Sequence, residues 1–170
     1  MLHVGRGTLG QLLEKLEQEV GFTADATVEA VTRDYDVVVA GGGPAGASAA
    51  IYLTRKGLKV AIVAENVGGQ VKETVDIENL ISVPHTTGAQ LANSLRTHIN
   101  DYPIDIFENR RIAGADLQGK LKTITVTGGE SFNSKAVIIA TGAGWRKLNV
   151  PGEADYIGRG VAFCPHCDGP

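Results

Sequence analysis

A chain of 170 residues has room for one domain with a proper core and not comfortably for two. Hydrophobic residues make up 43% and charged residues 21%, an ordinary globular balance, and a net charge of −3 gives no footing for a nucleic-acid partner. No apolar run is long enough to span a membrane, no secretory apolar core opens the chain, and two cysteines in one CxxC cannot staple a secreted scaffold, so a cytoplasmic, redox-capable protein is expected.

Glycine is over-represented, at 22 of 170 residues and without a collagen period, which points to tight turns and close backbone approaches. The first predicted element is a helix over residues 8–20. Thr8 and Gln11 have capping-box spacing, and Leu9, Leu12, Leu13, Leu16 and Val20 share a face that must bury against something. Residues 22–34 read as a linker. From Tyr35 the texture changes: "YDVVVA" suits a buried parallel strand, and "GGGPAG" a turn. "ASAAIYLTRKG" is then a helix with Pro44 in its first turn and Gly57 as its stop, and "LKVAIVAE" a second strand. Strand, turn, helix and strand make a βαβ unit. Further on, "GAQLANSLRTHI" predicts a helix and "IDIFEN" a short strand. "LKTITVTGGESFNSKAVIIATG" predicts an antiparallel hairpin turning at Gly128-Gly129, with Thr125 and Val126 before the turn; it feeds a last buried strand containing Val137, Ile138 and Ile139.

The turn Gly41-Gly42-Gly43-Pro44-Ala45-Gly46 contains a GxGxxG pattern between strand and helix. In a dinucleotide fingerprint the first glycine permits the tight turn, the second lets backbone approach a pyrophosphate, and the third lets helix pack on strand. The helix N-terminus adds partial positive charge. Glu65, at the end of the second strand, is placed to accept hydrogen bonds from ribose hydroxyls. A bare GxGxxG is a weak signal, but here strand, helix, second strand and acid agree. FAD and NAD share this fingerprint, so it names neither.

The CxxC at Cys164 and Cys167 suits thiol–disulfide exchange, in which a thiolate attacks and a second thiol stands within reach; a protonated His166 would stabilise a neighbouring thiolate. Competing readings are half a zinc site, which lacks a second ligand cluster, and a haem attachment site, which wants histidine where Asp168 stands. A thioredoxin-fold active site would want the motif after an early strand. No metal-ligand set is complete. His3, His85 and His98 read as isolated surface or loop residues, Trp145 as packing and Arg110-Arg111 as a solvated pair. Asp76 and Glu78 flank Ile77 without suggesting hydrolysis.

Three further stretches are "GGQVKETVDIENLISVP" (68–84), "ATGAGWRKLNVPGE" (140–153) and "GRGVAFCPHCDGP" (158–170). With "VVVAGGGPAG" they resemble the FAD half of the bacterial thioredoxin reductase group, and within it the alkyl hydroperoxide reductase flavoproteins, the reductase components that serve a peroxiredoxin. "CPHCDG", "TVDIEN" and "WRKLNVPGE" carry the second step, and "VGRGTLGQLLEKL" resembles the end of that family's N-terminal thioredoxin-like domain.

The resemblance implies an α/β fold: an incomplete FAD-binding Rossmann-like domain with a parallel sheet, a βαβ unit and a small antiparallel layer. Residues 1–21 would be the tail of the thioredoxin-like domain, 22–34 a linker, 35–160 the first segment of the FAD-binding domain, and 161–170 the start of an NAD(P)H-binding domain. Gly69, Gln70 and Asn79 would line the flavin, and Ala140, Thr141 and Gly142 would form a turn beside it. Cys167 would face the flavin, Cys164 would be the interchange thiol and Asp168 the acid–base group. The implied flow runs from NADH or NADPH through FAD to the disulfide, on to a thioredoxin-like domain and then a peroxiredoxin, in a homodimeric parent that detoxifies peroxides. On that pattern the chain is a fragment of a longer flavoprotein, inactive alone. Alternatives are a thioredoxin reductase-type enzyme and a non-catalytic FAD-binding fragment.

Overall fold

A computed structural model of the chain describes residues 31–162 except Val75, Trp145 and Gly158. The helix expected over residues 8–20 lies outside the described residues, as do Cys164, His166, Cys167 and Asp168. β1 (Thr32–Gly42), α1 (Pro44–Arg55) and β2 (Val60–Val67) form the expected unit. A 3₁₀ turn (Gly69–Glu73) leads on to α2 (Gly88–Asn100), β3 (Ile104–Phe107), β4 (Ile112–Asp116), β5 (Lys122–Val126), β6 (Ser131–Ile139) and the single turn α3 (Glu153–Tyr156). The described strands form one six-stranded sheet in the order β3-β2-β1-β6-β5-β4. β3, β2, β1 and β6 run parallel, and β5 and β4 continue the sheet antiparallel.

The neighbouring strands β1 and β2 are apolar on both faces because both faces are covered: Val38, Val39, Ile62 and Val63 are fully buried. Against one face pack Ala47, Ala50 and Ile51 of α1 and Ile99 of α2. The alanines keep α1 close to the sheet, and each buried Ile or Val contributes roughly 1.5–3 kcal/mol. α2 starts at a reciprocal cap: Thr87 Oγ1 accepts from Gln90 N at 3.2 Å and Gln90 Oε1 accepts from Thr87 N at 3.0 Å.

Phe132, Ile124 and Val126 cover the other face, with Tyr35, Val38, Ala61 and Val63. Phe107 on β3 and Phe132 on β6 have ring centroids 4.8 Å apart, although β2 and β1 lie between their strands. Three strand spacings in a flat sheet are about 14 Å. The sheet therefore curls, swinging β5 and β4 over its own second face. The expected antiparallel layer is thus hydrogen-bonded into the main sheet through β6. β6 is at once the second arm of the hairpin and the closing strand: Ser131–Ser134 pair with both β5 and β1, and Ala136–Ile139 with β1.

Two departures follow from this pairing. β1 begins at Thr32, where Ser131 is its partner, so the last residues of the expected 22–34 linker are strand. β4 carries no alternating pattern, being half-exposed at Ile112 and exposed beyond, and exists because β5 offers it a free edge.

The curl is clasped by Glu130. Its carboxylate accepts from Arg33 Nε at 3.0 Å and Arg110 Nε at 2.6 Å, and Arg33 lies 5.1 Å over the Phe107 ring. Arg110 is therefore a partly buried ion-pair residue rather than half of a solvated pair; its partner, 20 positions away, is brought to it only by the fold. Burial pushes the Glu130 carboxyl up, but hydrogen bonds and charge from Arg110 and Arg33 outweigh it and leave the pKa below the ordinary 4.5. A depressed folded-state pKa contributes stability that is complete above the ordinary value and is lost as pH falls through the folded one. Glu130→Gln is expected to lower stability at neutral pH by about 1.5–3 kcal/mol. The gap to the unsubstituted chain should close in urea melts taken below about pH 4; a gap that persists there would rule the clasp out.

Candidate functional site

Parallel pairing brings the C-terminal ends of β2, β1 and β6 to one edge of the sheet, where ligands of open α/β folds bind. The glycine turn sits at that edge under tight backbone contact. Gly41 has φ +118°, and a Cβ there would lie 2.2 Å from the Ala140 carbonyl oxygen. A Cβ on Gly46 would lie 2.0 Å from the Gly41 carbonyl oxygen. Hydrogen bonds from Ala140 N to Ala40 O and from Gly68 N to Gly42 O, both 2.8 Å, hold the flanking turns against it.

Gly43 differs from its neighbours. It is the N-cap of α1 with ordinary extended backbone, and an added Cβ would meet nothing nearer than Gly69 Cα at 4.0 Å. No side chain caps α1, its first turn holds no acidic residue, and Pro44 brings no N–H. The remaining first-turn N–H groups and the positive end of the helix thus face an open cradle, which fits a dinucleotide diphosphate.

β2 supplies the acid by an irregularity. Its register to β1 runs Ala40↔Val63 and then Gly42↔Val67, so residues 64–66 bulge between them. Glu65 and Asn66 are exposed there, and Asn66 Oδ1 accepts from Gly69 N at 3.1 Å. The turn after β3 packs alongside: Asn109 N donates to Glu65 O at 3.2 Å and Arg110 N to Ala64 O at 3.1 Å. Arg111 Nη1 stands 4.0 Å from Glu65 Oε1. Glu108 Oε1 accepts from Val67 N at 2.9 Å while the carboxylate pairs with Arg96 of α2. The Arg96 hydrogen bond holds the Glu108 carboxyl below the usual range against its partial burial. Asn66, Glu108 and Arg111 are site-building residues that sequence reasoning missed. Asn66 before Gly68-Gly69 was a usable turn signal; Glu108 carried none.

Gly69 abuts the turn, since its Cβ would lie 3.0 Å from Gly43 Cα, and Gln70 follows, exposed, on the 3₁₀ turn. Ala140 packs under Gly41, with Thr141 and Gly142 exposed beyond it. Asn79 is exposed in the excursion between the bridged residues Ile77 and Thr86, and no hydrogen bond among the described residues ties it to the glycine turn. His85 is not isolated: its Nδ1 lies 3.2 Å from Asp76 and 3.7 Å from Glu78 in a solvent-exposed trio. After the Ala140–Gly142 turn, buried Glu153 accepts from Leu148 N at 2.8 Å and Asn149 N at 2.7 Å, fixing the backbone that precedes α3.

A family model described as pyridine nucleotide-disulphide oxidoreductase matches residues 35–170. The chain is 50% identical over 166 residues to the F subunit of alkyl hydroperoxide reductase in Staphylococcus aureus (strain NCTC 8325 / PS 47), covering 98% of this chain and 32% of that protein. Identity to its Pseudomonas putida counterpart is 48% over 170 residues, with the same shares. The chain therefore spans about a third of the length of the curated relatives it matches. Among solved structures, thioredoxin reductase from Streptococcus pyogenes MGAS5005 is similar with a TM-score of 0.73 and 38% identity, over 80% of this chain and 44% of that one.

The glycines sort by steric room. Gly46→Ala drives a methyl into the Gly41 carbonyl and is expected to lower stability by about 1–3 kcal/mol. Gly43→Ala meets open space and is expected to change it by less than about 0.5 kcal/mol. Urea titration of both variants measures the difference, and equal losses would contradict the cradle geometry.

Proposed function

The chain belongs to the pyridine nucleotide-disulphide oxidoreductase family, and on that premise we propose that it carries the FAD site and redox cysteines of an NADH- or NADPH-dependent reductase serving a peroxiredoxin. The observation that carries this is the open cradle at Gly43, set between the tightly packed Gly41 and Gly46 and beside the bulged Glu65. When bound, FAD supplies two-electron transfer between a nicotinamide and a disulfide.

The chain's residues divide the remaining work. The backbone of Gly41, Gly42 and Gly43 and the α1 start at Pro44, Ala45 and Gly46 hold the diphosphate, and Glu65 accepts from the adenosine ribose. Gly69, Gln70, Asn79, Ala140, Thr141 and Gly142 line the flavin. Reduced Cys164, as thiolate, attacks an acceptor disulfide, forming a mixed disulfide and releasing one acceptor thiolate. Cys167 then attacks Cys164 Sγ, which closes the Cys164–Cys167 disulfide and frees the second acceptor thiol. Asp168 manages the proton. The acceptor is a thioredoxin-like domain that passes electrons to the peroxiredoxin, in a cytoplasmic homodimer of the longer protein. The likeness to solved thioredoxin reductases favours thioredoxin as the second candidate acceptor.

Two measurements test this. Purified chain mixed with FAD and freed of excess by gel filtration should keep flavin absorbance, and Gly43→Ala should weaken retention more than tenfold while folding normally. Loss of flavin from the unsubstituted chain would overturn the site. Separately, Cys167→Ser should trap a mixed disulfide through Cys164 with an oxidised thioredoxin-fold protein, visible on a non-reducing gel; a trap formed by Cys164→Ser and not by Cys167→Ser would reverse the two roles, and equal traps would overturn the division between them.

A further inference from the structure

Glu65 is asked to accept two ribose hydroxyls, yet among the described residues nothing donates a hydrogen bond to its carboxylate, which is 63% exposed. Arg111 Nη1, 4.0 Å away, is the cation paired with it. The backbone that presents Arg111 is fixed to the same strand. Asn109 N and Arg110 N bond to the carbonyls of Glu65 and Ala64, and Thr127 N donates to Arg111 O at 2.8 Å. Asn109 adopts φ +56°, and the neighbouring Arg110 is committed to Glu130. The turn thus anchors the main chain of Arg111 beside the β2 bulge while leaving its side chain 77% exposed.

Resting on the FAD-binding reading above, we propose that Arg111 is a positioning residue for Glu65, holding the carboxylate toward the ribose hydroxyls of the cofactor's adenosine. A solvated ion pair contributes little to folding because water screens it and both side chains lose freedom. A bound adenosine excludes that water, the effective dielectric falls, and the same attraction strengthens. The pair therefore contributes to binding rather than to folding. The two arginines of this turn divide accordingly: Arg110 clasps the curled sheet, and Arg111 serves the ligand edge.

The test is an FAD titration of the full 170-residue chain by flavin fluorescence, with Arg111→Ala, Arg111→Lys, Glu65→Gln and the Glu65→Gln/Arg111→Ala double variant. Arg111→Ala is expected to weaken FAD binding about two- to fivefold, the affinity equivalent of one ion pair. Arg111→Lys should recover part of that loss, and urea unfolding of the free chains should stay unchanged. In the Glu65→Gln background, Arg111→Ala should cost nothing further. An equal loss in both backgrounds would overturn the positioning role, because Arg111 would then act without Glu65. Unchanged affinity in Arg111→Ala would overturn it as well. A chain that binds no FAD even without substitution would overturn the cofactor reading itself, and the inference with it, which is a different result from normal binding that ignores Arg111.

Discussion

Everything at the ligand edge depends on how closely the backbone can approach itself around the glycine turn. Gly41 touches the carbonyl of Ala140, and Gly46 touches the carbonyl of Gly41. These contacts bring the end of β6, the turn and the start of α1 within van der Waals distance. Were any of them widened by a side chain, α1 would lift from the sheet and its N-terminus would no longer point into the cradle. Close packing at two glycines creates the opening at the third. The same absence of a Cβ serves opposite ends at neighbouring positions, filling space at Gly41 and Gly46 and preserving it at Gly43.

The second constraint is the curl of the sheet. A flat sheet would leave the Phe132, Ile124 and Val126 side exposed to water and keep Phe107 far from Phe132. Folding β5 and β4 across that side buries the aromatic rings together, with Tyr35 edge-on to Phe107 at 6.3 Å. The cost is a cluster of charged groups carried to the rim of a hydrophobic layer, and Glu130 settles it by accepting from two arginines at once. A partly buried carboxylate with two guanidinium partners is tolerable where a lone one is not.

Curl and ligand edge meet at the turn after β3. Arg110 faces inward to the clasp, Arg111 outward to Glu65, and their backbone is bonded to the β2 bulge. Glu108 adds a strut from this turn to α2 and Val67. The acid expected at the end of β2 is thus carried on an irregular segment that three other elements hold in place. One short backbone segment therefore ties the clasp of the hydrophobic layer to the β2 bulge.

The local chain determined what depends on neighbouring residues. The Val37–Val39 run, the glycine spacing, Pro44 at the helix start and Gly57 after its end dictate strand, turn, helix and strand wherever they occur, because each acts through its own backbone or the next turn. The Gly128-Gly129 hairpin was legible for the same reason. What only the tertiary structure decided involves partners distant in sequence. Arg33 and Glu130 are 97 positions apart, and neither reveals the other. Thr32 becomes strand because Ser131 arrives beside it, and the apolar-poor β4 becomes strand because β5 offers hydrogen bonds. The β2 bulge arises because β1 must turn at Gly41 while β2 continues to Val67. Local patterns fix backbone preference. Which charge meets which, and which irregular edge becomes a strand, is fixed only when packing has brought the segments together.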